Sequence, residues 1–283
     1  MRKEPILTTN LIAVYADDSQ AAERAVAIGL RMAAATAARL TVWTVISPSM
    51  PQRTDTLGMN SASAKALAES LGVEARNTVL TGEDAAEELL REAERQKPSL
   101  MIFGDQSSGR WLRLMGHGTA SVLLRRARVP MIVTSAQSEF PASGHLNRLM
   151  VAVDFSEGSQ RALQAAHDYA ELVDAELHPV HVDNTPRPPR VTQKQIQAFD
   201  EKILFRLQAF CTGFPGIRPD RCQLVRGKPV ARALNQAAER IQADIIVIGT
   251  LGLTGMGRLL LGSVAERLTL ESLKPVLVIP AGD

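Results

Sequence analysis

Cysteines and long apolar runs are both scarce in this sequence. Its 283 residues include two cysteines, Cys211 and Cys222, and neither belongs to a CxxC pair or a histidine-rich cluster. A disulfide framework and a cysteine-ligated metal site are therefore not indicated. We expect free thiols, with a Cys211–Cys222 bridge as the alternative. No apolar run reaches the length that crosses a bilayer, and the first residues show no secretory signal, so we expect a cytoplasmic protein without a membrane partner.

Aromatic residues and net charge are also low, and these shortages exclude further classes. The formal net charge is +2, which gives no bulk attraction to nucleic acid or to an anionic membrane. We therefore expect no nucleic-acid partner. Aromatic residues make up 4% of the chain, whereas apolar residues make up 45% and charged residues 22%. This balance is typical of a globular protein, and it favours helices packed on a parallel sheet over a β-sandwich.

The chain contains an internal repeat. Asp17 and Ser19 match Asp154 and Ser156 at one constant spacing of 137 positions, and the helical pattern that follows keeps this spacing. Further along the spacing becomes 145, at which Gly104 matches Gly249. The second copy therefore has extra residues between its second and third strands, where Gln193–Phe210 is predicted to form a longer amphipathic helix.

Each copy alternates short apolar strands with amphipathic helices. In the second copy the strands are predicted near residues 148–153, 177–182, 221–225, 244–248 and 276–280. Strands that are apolar at nearly every position indicate a parallel sheet covered on both faces. The predicted fold class is α/β, as two tandem doubly wound parallel-sheet (Rossmann-like) domains, 1–140 and 141–283. Ligands are then expected at the carboxyl ends of the strands.

A glycine-rich segment follows the fourth strand of the second copy. It spans Gly249–Ser263 with the spacing G-x2-G-x9-G-S, and such glycines let the backbone amides approach a phosphate. Ser263 and Glu266 form a capping-box pattern that predicts a defined helix start. The Ser263 hydroxyl is expected to cap this helix, to contact a phosphate, or to do both in part. The start of a helix beside such a loop is an anion site.

The glycine spacing, an Asp at the end of the first strand (Asp154) and the Gly227–Pro229 segment after the third together resemble the universal stress protein family. The resemblance covers nearly the whole chain as two copies. It implies that the second domain binds ATP or another adenine nucleotide, with or without Mg²⁺, and acts as a nucleotide-dependent regulatory module. The residues that this resemblance assigns to nucleotide binding are Asp154, Val182, Ile248, Gly249, Gly252, Gly262, Ser263 and Val264.

The first copy departs from this motif, and its loop is therefore interpreted as degenerate. Ser107 stands in place of the second glycine, and at the constant spacing His117 and Gly118 replace Gly262 and Ser263. A slip of one residue would instead make Gly118-Thr119 the equivalent pair. Glu83 and Asp84 stand where the second copy has Lys228 and Pro229, and if they face the site they would repel a triphosphate. Asp17 persists, although an Asp there can equally cap the next helix.

Three hypotheses about function follow. The favoured one is a stress-response binding module without an evident catalytic residue. The alternatives are a slow ATPase or autophosphorylating enzyme, with Mg²⁺ near Asp154, and a nucleotide-free scaffold. The resemblance also implies that the final strands, Met131–Thr134 and Val276–Pro280, pair within one chain as a pseudo-dimer. A homodimer of two chains and a protein without further association both stay open.

Overall fold

The computed structural model describes residues 10–49, 61–104, 118–186, 190–250 and 261–282. Three loop residues named above, Ser107, His117 and Gly252, lie outside these ranges.

In the first half, the described residues form five strands and the helices between them. The strands are β1 (Leu11–Tyr15), β2 (Arg39–Ile46), β3 (Ala75–Thr81), β4 (Leu100–Gly104) and β5 (Met131–Thr134). The helices are α1 (Gln20–Thr36), α2 (Ala62–Leu71), α3 (Ala85–Gln96) and α4 (Thr119–Arg126).

The second half repeats this arrangement. Its strands are β6 (Arg148–Ala152), β7 (Glu176–Asp183), β8 (Gln223–Arg226), β9 (Ile245–Gly249) and β10 (Val276–Ile279). Its helices are α5 (Glu157–Val173), α6 (Gln193–Cys211), α7 (Val230–Ile241) and α8 (Ser263–Glu271). Among the described residues, no helix is both long enough and apolar enough to span a bilayer.

The described strands form one sheet in the order β3-β2-β1-β4-β5-β10-β9-β6-β7-β8. Within each half all neighbouring strands are parallel. The strand order reverses between β1 and β4, and again between β6 and β9, which is the crevice where doubly wound sheets bind ligands. The predicted fold class is confirmed.

The two halves join edge to edge through their last strands. β5 and β10 pair antiparallel, with Ile132 opposite Leu277, so the predicted pairing of the final strands within one chain is confirmed. Because each half is parallel internally and the junction is antiparallel, the carboxyl ends of the two sets of strands lie at opposite edges of the sheet. The two potential ligand sites are therefore well separated.

Helices cover both faces of the sheet, since its central strands are apolar on both sides. One core contains buried residues of α1 and α5, such as Ile28 and Leu163. The other contains residues of α3, α4, α7 and α8, such as Leu89 and Leu234. The sheet is thus buried on both faces, as its uninterrupted apolar strands predict.

The helix between the second and third strands differs most between the halves. α2 has 10 residues, whereas α6 has 19 and begins with the capping box of Thr192 and Gln195. The predicted longer helix is therefore confirmed. Of its 19 residues only Leu207 and Cys211 are buried, and Phe205 is 73% exposed.

Glycine at the end of β4 and of β9 is required by close packing of a helix. A Cβ at Gly104 would lie 2.2 Å from the backbone carbon of Ala21, in the first turn of α1. A Cβ at Gly249 would lie 2.6 Å from the backbone oxygen of Gly158, in the first turn of α5. The shared glycine of the two copies is thus explained by the fold in both.

We predict that Gly104→Ala lowers the free energy of unfolding by about 1–3 kcal/mol, because the helix backbone must shift to admit a methyl group. Gly213→Ala is the matched control, since a Cβ at Gly213 meets no atom within 4 Å. Urea denaturation followed by circular dichroism measures both. Equal stability of the two variants would contradict the packing argument.

Candidate functional site

A cavity of about 330 Å³ opens at the carboxyl ends of β6, β7 and β9, beside the crevice where the strand order reverses. Its volume lies within the range of small-molecule sites, about 300–1,000 Å³. Seven of the eight residues proposed from the sequence line it: Asp154, Val182, Ile248, Gly249, Gly262, Ser263 and Val264. The eighth, Gly252, lies outside the described residues.

The inner wall of the cavity is apolar. Ile248 from β9 faces Val230 and Leu234 from α7, and Ala152 and Val180 complete the wall from β6 and β7. Reasoning from motifs missed these four partners of Ile248. In the sequence these four residues have the character of ordinary core residues. They line a cavity only because their side chains leave a gap between the sheet and α7.

The polar end of the cavity is the start of α8. Gly262 is the N-cap of this helix, without a side-chain hydrogen bond, and Ser263 is its first residue. The predicted capping by Ser263 is therefore wrong: the helix begins one residue earlier than the capping box requires. Ser263 is exposed at the cavity rim. Its hydroxyl and the first amides of α8 form the kind of helix terminus that binds anions.

Thr250 forms hydrogen bonds that hold the two ends of the glycine-rich segment together, a role that the sequence did not reveal. Its carbonyl oxygen accepts a hydrogen bond from the Gly262 amide at 2.7 Å, and its own amide donates to the Ile279 carbonyl at 2.9 Å. Its hydroxyl accepts from the Ala281 amide at 3.0 Å. The two ends of the segment are thereby held together next to β10, so the start of α8 is fixed relative to the cavity.

Asp154 lines the cavity just after β6. Its Oδ1 accepts hydrogen bonds from the Ser156 amide at 3.0 Å and hydroxyl at 2.5 Å, while Ser156 caps α5. In the first half, Asp17 braces the capping Ser19 in the same way. The alternative that the Asp itself caps the helix is therefore wrong, because the serine two residues later does so.

The start of α4 shows that the constant spacing misaligned the two loops. Gly118 is the N-cap of α4, with φ −67° and ψ 146°, and Gly262 has φ −63° and ψ 141°. The slip of one residue is thus what the structure shows, and Gly118-Thr119 is equivalent to Gly262-Ser263. At this end of its loop, the first half keeps the glycine–hydroxyl pair.

The acids after β3 have separate roles. Asp84 caps α3 through the amides of Ala86 and Glu87, so its carboxylate is used by the helix. Glu83 accepts hydrogen bonds from the hydroxyls of Ser47 and Ser49, which lower the pKa of the Glu83 carboxyl. Ser47 matches Asn184, a residue of the cavity wall. Glu83 therefore adds a negative charge to the part of the first half that corresponds to the cavity rim of the second half.

Large aromatic side chains occupy the place of the cavity in the first half. Tyr15, Trp43 and Phe103 stand at the positions of Ala152, Val180 and Ile248. They lie side by side in the sheet, since Tyr15 pairs with Trp43 on β2 and with Phe103 on β4. Trp43 is fully buried and Phe103 is 1% exposed. Burial, with the charges of Asp17 and Asp18, raises the pKa of the Tyr15 hydroxyl. The first half thus has three large aromatic residues at the positions where Ala152, Val180 and Ile248 line the cavity of the second half.

Two expected absences concern metals and disulfides. No group of three or more His, Cys, Asp or Glu that could hold a metal ion occurs within the ranges described above. Cys211 and Cys222 are free and buried. A hydrogen bond between the two thiols, together with burial, raises the pKa of Cys211. The expectation of free thiols is met, and the alternative of a bridge is not.

The fold and the site define a tandem doubly wound α/β protein with a cavity at the strand ends of its second half. The profile of the universal stress protein family matches residues 9–135 and 145–280, and the chain belongs to this family as two tandem copies.

Universal stress protein Rv2623 of Mycobacterium tuberculosis is 30% identical over 184 residues, which are 63% of this chain and 60% of that protein. The chain therefore spans about three fifths of that relative's length. A universal stress protein of Thermus aquaticus is 32% identical over 46% of this chain and 96% of its own length. The crystal structure of a universal stress protein from Archaeoglobus fulgidus shares the fold, with a TM-score of 0.67, 21% identity and 98% coverage of both chains.

Because Ser263 does not cap α8, we predict that Ser263→Ala changes the free energy of unfolding by less than about 0.5 kcal/mol. Ser156→Ala, which removes the cap of α5, lowers it by about 1 kcal/mol. Chemical denaturation of the two variants beside the wild type measures the difference. A loss for Ser263→Ala as large as that for Ser156→Ala would restore Ser263 as a cap.

Proposed function

We propose that the second domain of this universal stress protein binds ATP and that the protein works as a nucleotide-dependent regulatory module in the stress response. The observation that carries the proposal is a single cavity with two chemically different ends. One end is an apolar slot between β9 and α7, and the other is the exposed start of α8.

The two ends suit the two parts of a nucleotide. The slot bounded by Ile248, Val182 and Leu234 provides apolar walls for a flat base. The first amides of α8 and the Ser263 hydroxyl provide donors for phosphate oxygens, and the helix dipole favours negative charge there. Asp154 on the opposite wall is the candidate partner for a ribose hydroxyl or for a Mg²⁺ ion that accompanies the phosphates.

Occupancy of this cavity can affect the first domain through α8. Glu266, in the first turn of α8, forms an ion pair with Arg125 at the end of α4 (Nη2–Oε1 3.6 Å). Residues of α4 and α8 also belong to one hydrophobic core. A ligand that binds one arrangement of α8 more tightly than another therefore shifts the balance between them. We place this activity in the cytoplasm, where ATP is abundant and free thiols persist.

We predict that the purified protein, once denatured, releases ATP, and that Gly262→Val releases little or none. The φ and ψ of Gly262 are open to any residue, so the valine side chain obstructs the cavity without unfolding α8. Gly118→Val, at the same cap of α4 with no atom within 4 Å of its Cβ, is the matched control and retains ATP. Anion-exchange chromatography of the supernatant identifies the nucleotide.

The other outcomes of this measurement separate the alternatives. Release of ADP in place of ATP would favour a slow ATPase, and a wild-type protein that releases no nucleotide would favour a nucleotide-free scaffold. Binding by Gly262→Val at wild-type strength would remove the assignment of the phosphate end.

We further predict one nucleotide per chain, because aromatic rings fill the first domain. Ala152→Tyr places the first domain's tyrosine in the second cavity and should weaken ATP binding by about tenfold or more, the scale of a lost major contact. Ala209→Tyr, at an exposed position of α6, controls for the added ring. Isothermal titration calorimetry gives affinity and stoichiometry. Two equivalent sites per chain would contradict the proposed asymmetry.

A further inference from the structure

Phe155, the residue between Asp154 and Ser156, has an unusual backbone. Its φ is +67°, a region that residues with a Cβ adopt only when their surroundings impose it. A bulky aromatic residue in this conformation needs partners that hold it there, and three of them are present.

The Phe155 ring is enclosed by the longer helix α6 and by strand β7. Its centroid lies 4.6 Å from that of the His181 ring and 5.7 Å from that of Phe210, the latter edge-on at 84°. The guanidinium carbon of Arg206 lies 4.1 Å from the Phe155 ring centroid, within the range of a cation–π interaction.

His181 also fixes the residue on the other side of Asp154. Its Nδ1 donates a hydrogen bond to the Val153 carbonyl oxygen at 2.7 Å, since a carbonyl oxygen only accepts. The Val153 amide donates to the Val180 carbonyl at 2.9 Å. Asp154 is therefore held between two anchored neighbours, Val153 and Phe155.

The first domain shows that the turn does not need this arrangement in order to fold. Asp17 and Ser19 keep the same hydrogen bonds, but the residue between them is the exposed Asp18, whose φ is not left-handed. Thr44 stands in place of His181. The aromatic cluster thus accompanies the open cavity, and two of its members, Arg206 and Phe210, come from the helix that is longer in the second domain.

We propose that Phe155 is a positioning residue of the nucleotide site: its left-handed backbone, held by His181, Phe210 and Arg206, sets the direction of the Asp154 carboxylate at the cavity wall. This inference rests on the proposed function, because it concerns the affinity of the same cavity for ATP. It assigns the longer helix α6 a specific task, which is to supply the outer half of the cluster.

The test measures ATP affinity by calorimetry in Phe155→Ala, which removes the ring and its three contacts. We expect a dissociation constant about tenfold higher, the scale of one charge-assisted hydrogen bond. Phe155→Tyr keeps an aromatic ring at this position, and its affinity for ATP should lie within about threefold of the wild type. Phe205→Ala, an exposed phenylalanine of the same helix, is the control and leaves the affinity unchanged. Arg206→Ala is the second variant if Phe155→Ala does not fold, since Arg206 is exposed, and should weaken binding about threefold.

A double-mutant cycle separates positioning from a general loss of structure. In the Asp154→Asn background, Phe155→Ala should add less than about a twofold effect, because a positioning residue acts through the group that it positions. The same tenfold loss in both backgrounds, or an unchanged affinity in Phe155→Ala and Arg206→Ala, overturns the inference while the proposed function stands. A wild-type protein that binds no ATP contradicts the proposed function itself, and the inference with it.

Discussion

The antiparallel pairing of β5 with β10 is the interaction on which the rest of the molecule depends. Both strands are buried at every position, and the hydrogen bonds between them close the edge that each half would otherwise expose. The pairing converts two five-stranded sheets into one and gives α4 and α8 a shared core. It also places the carboxyl ends of the two sets of strands on opposite sides of the sheet, so that each domain has a separate place for a ligand. Different residues therefore line the strand ends of the two domains.

The two domains differ in the side chains at the carboxyl ends of their strands. At the edge of the first, Tyr15, Trp43 and Phe103 fill the space between sheet and helices, and Glu83 adds a negative charge at the rim. At the edge of the second, small aliphatic residues leave a slot, and the volume that the rings would have taken is open to solvent. In the second domain, the rings of Phe155, His181 and Phe210 cluster beside the Asp154 turn. The two domains therefore differ in where their aromatic side chains lie.

The sequence predicted much of this fold because its signals were local and repeated. Uninterrupted apolar strands, helical periodicity and a spacing that held through several elements gave the element order, the fold class and the longer α6. For the site, the family resemblance assigned Asp154, Gly249 and Gly262 to one ligand, and all three line one cavity. It misjudged the start of α8, because a capping box is a statement about local sequence and the tertiary contact of Thr250 with Gly262 sets the actual boundary.

What the sequence determined by itself was the repeat, the order of the elements along the chain and the place of the glycine-rich segment, since each can be recognised from residue types and their spacing in the chain alone. Only the tertiary structure decided which loop positions correspond, which side chains fill a pocket and which residue bends the backbone at the site. The equivalence of Gly118 and Gly262 can be recognised only from the residues at which α4 and α8 begin. Tyr15, Trp43 and Phe103 come from three strands, and the register of those strands is what brings their rings together. Packing of this kind is a property of side chains that meet across the sheet, and no spacing along the chain records it.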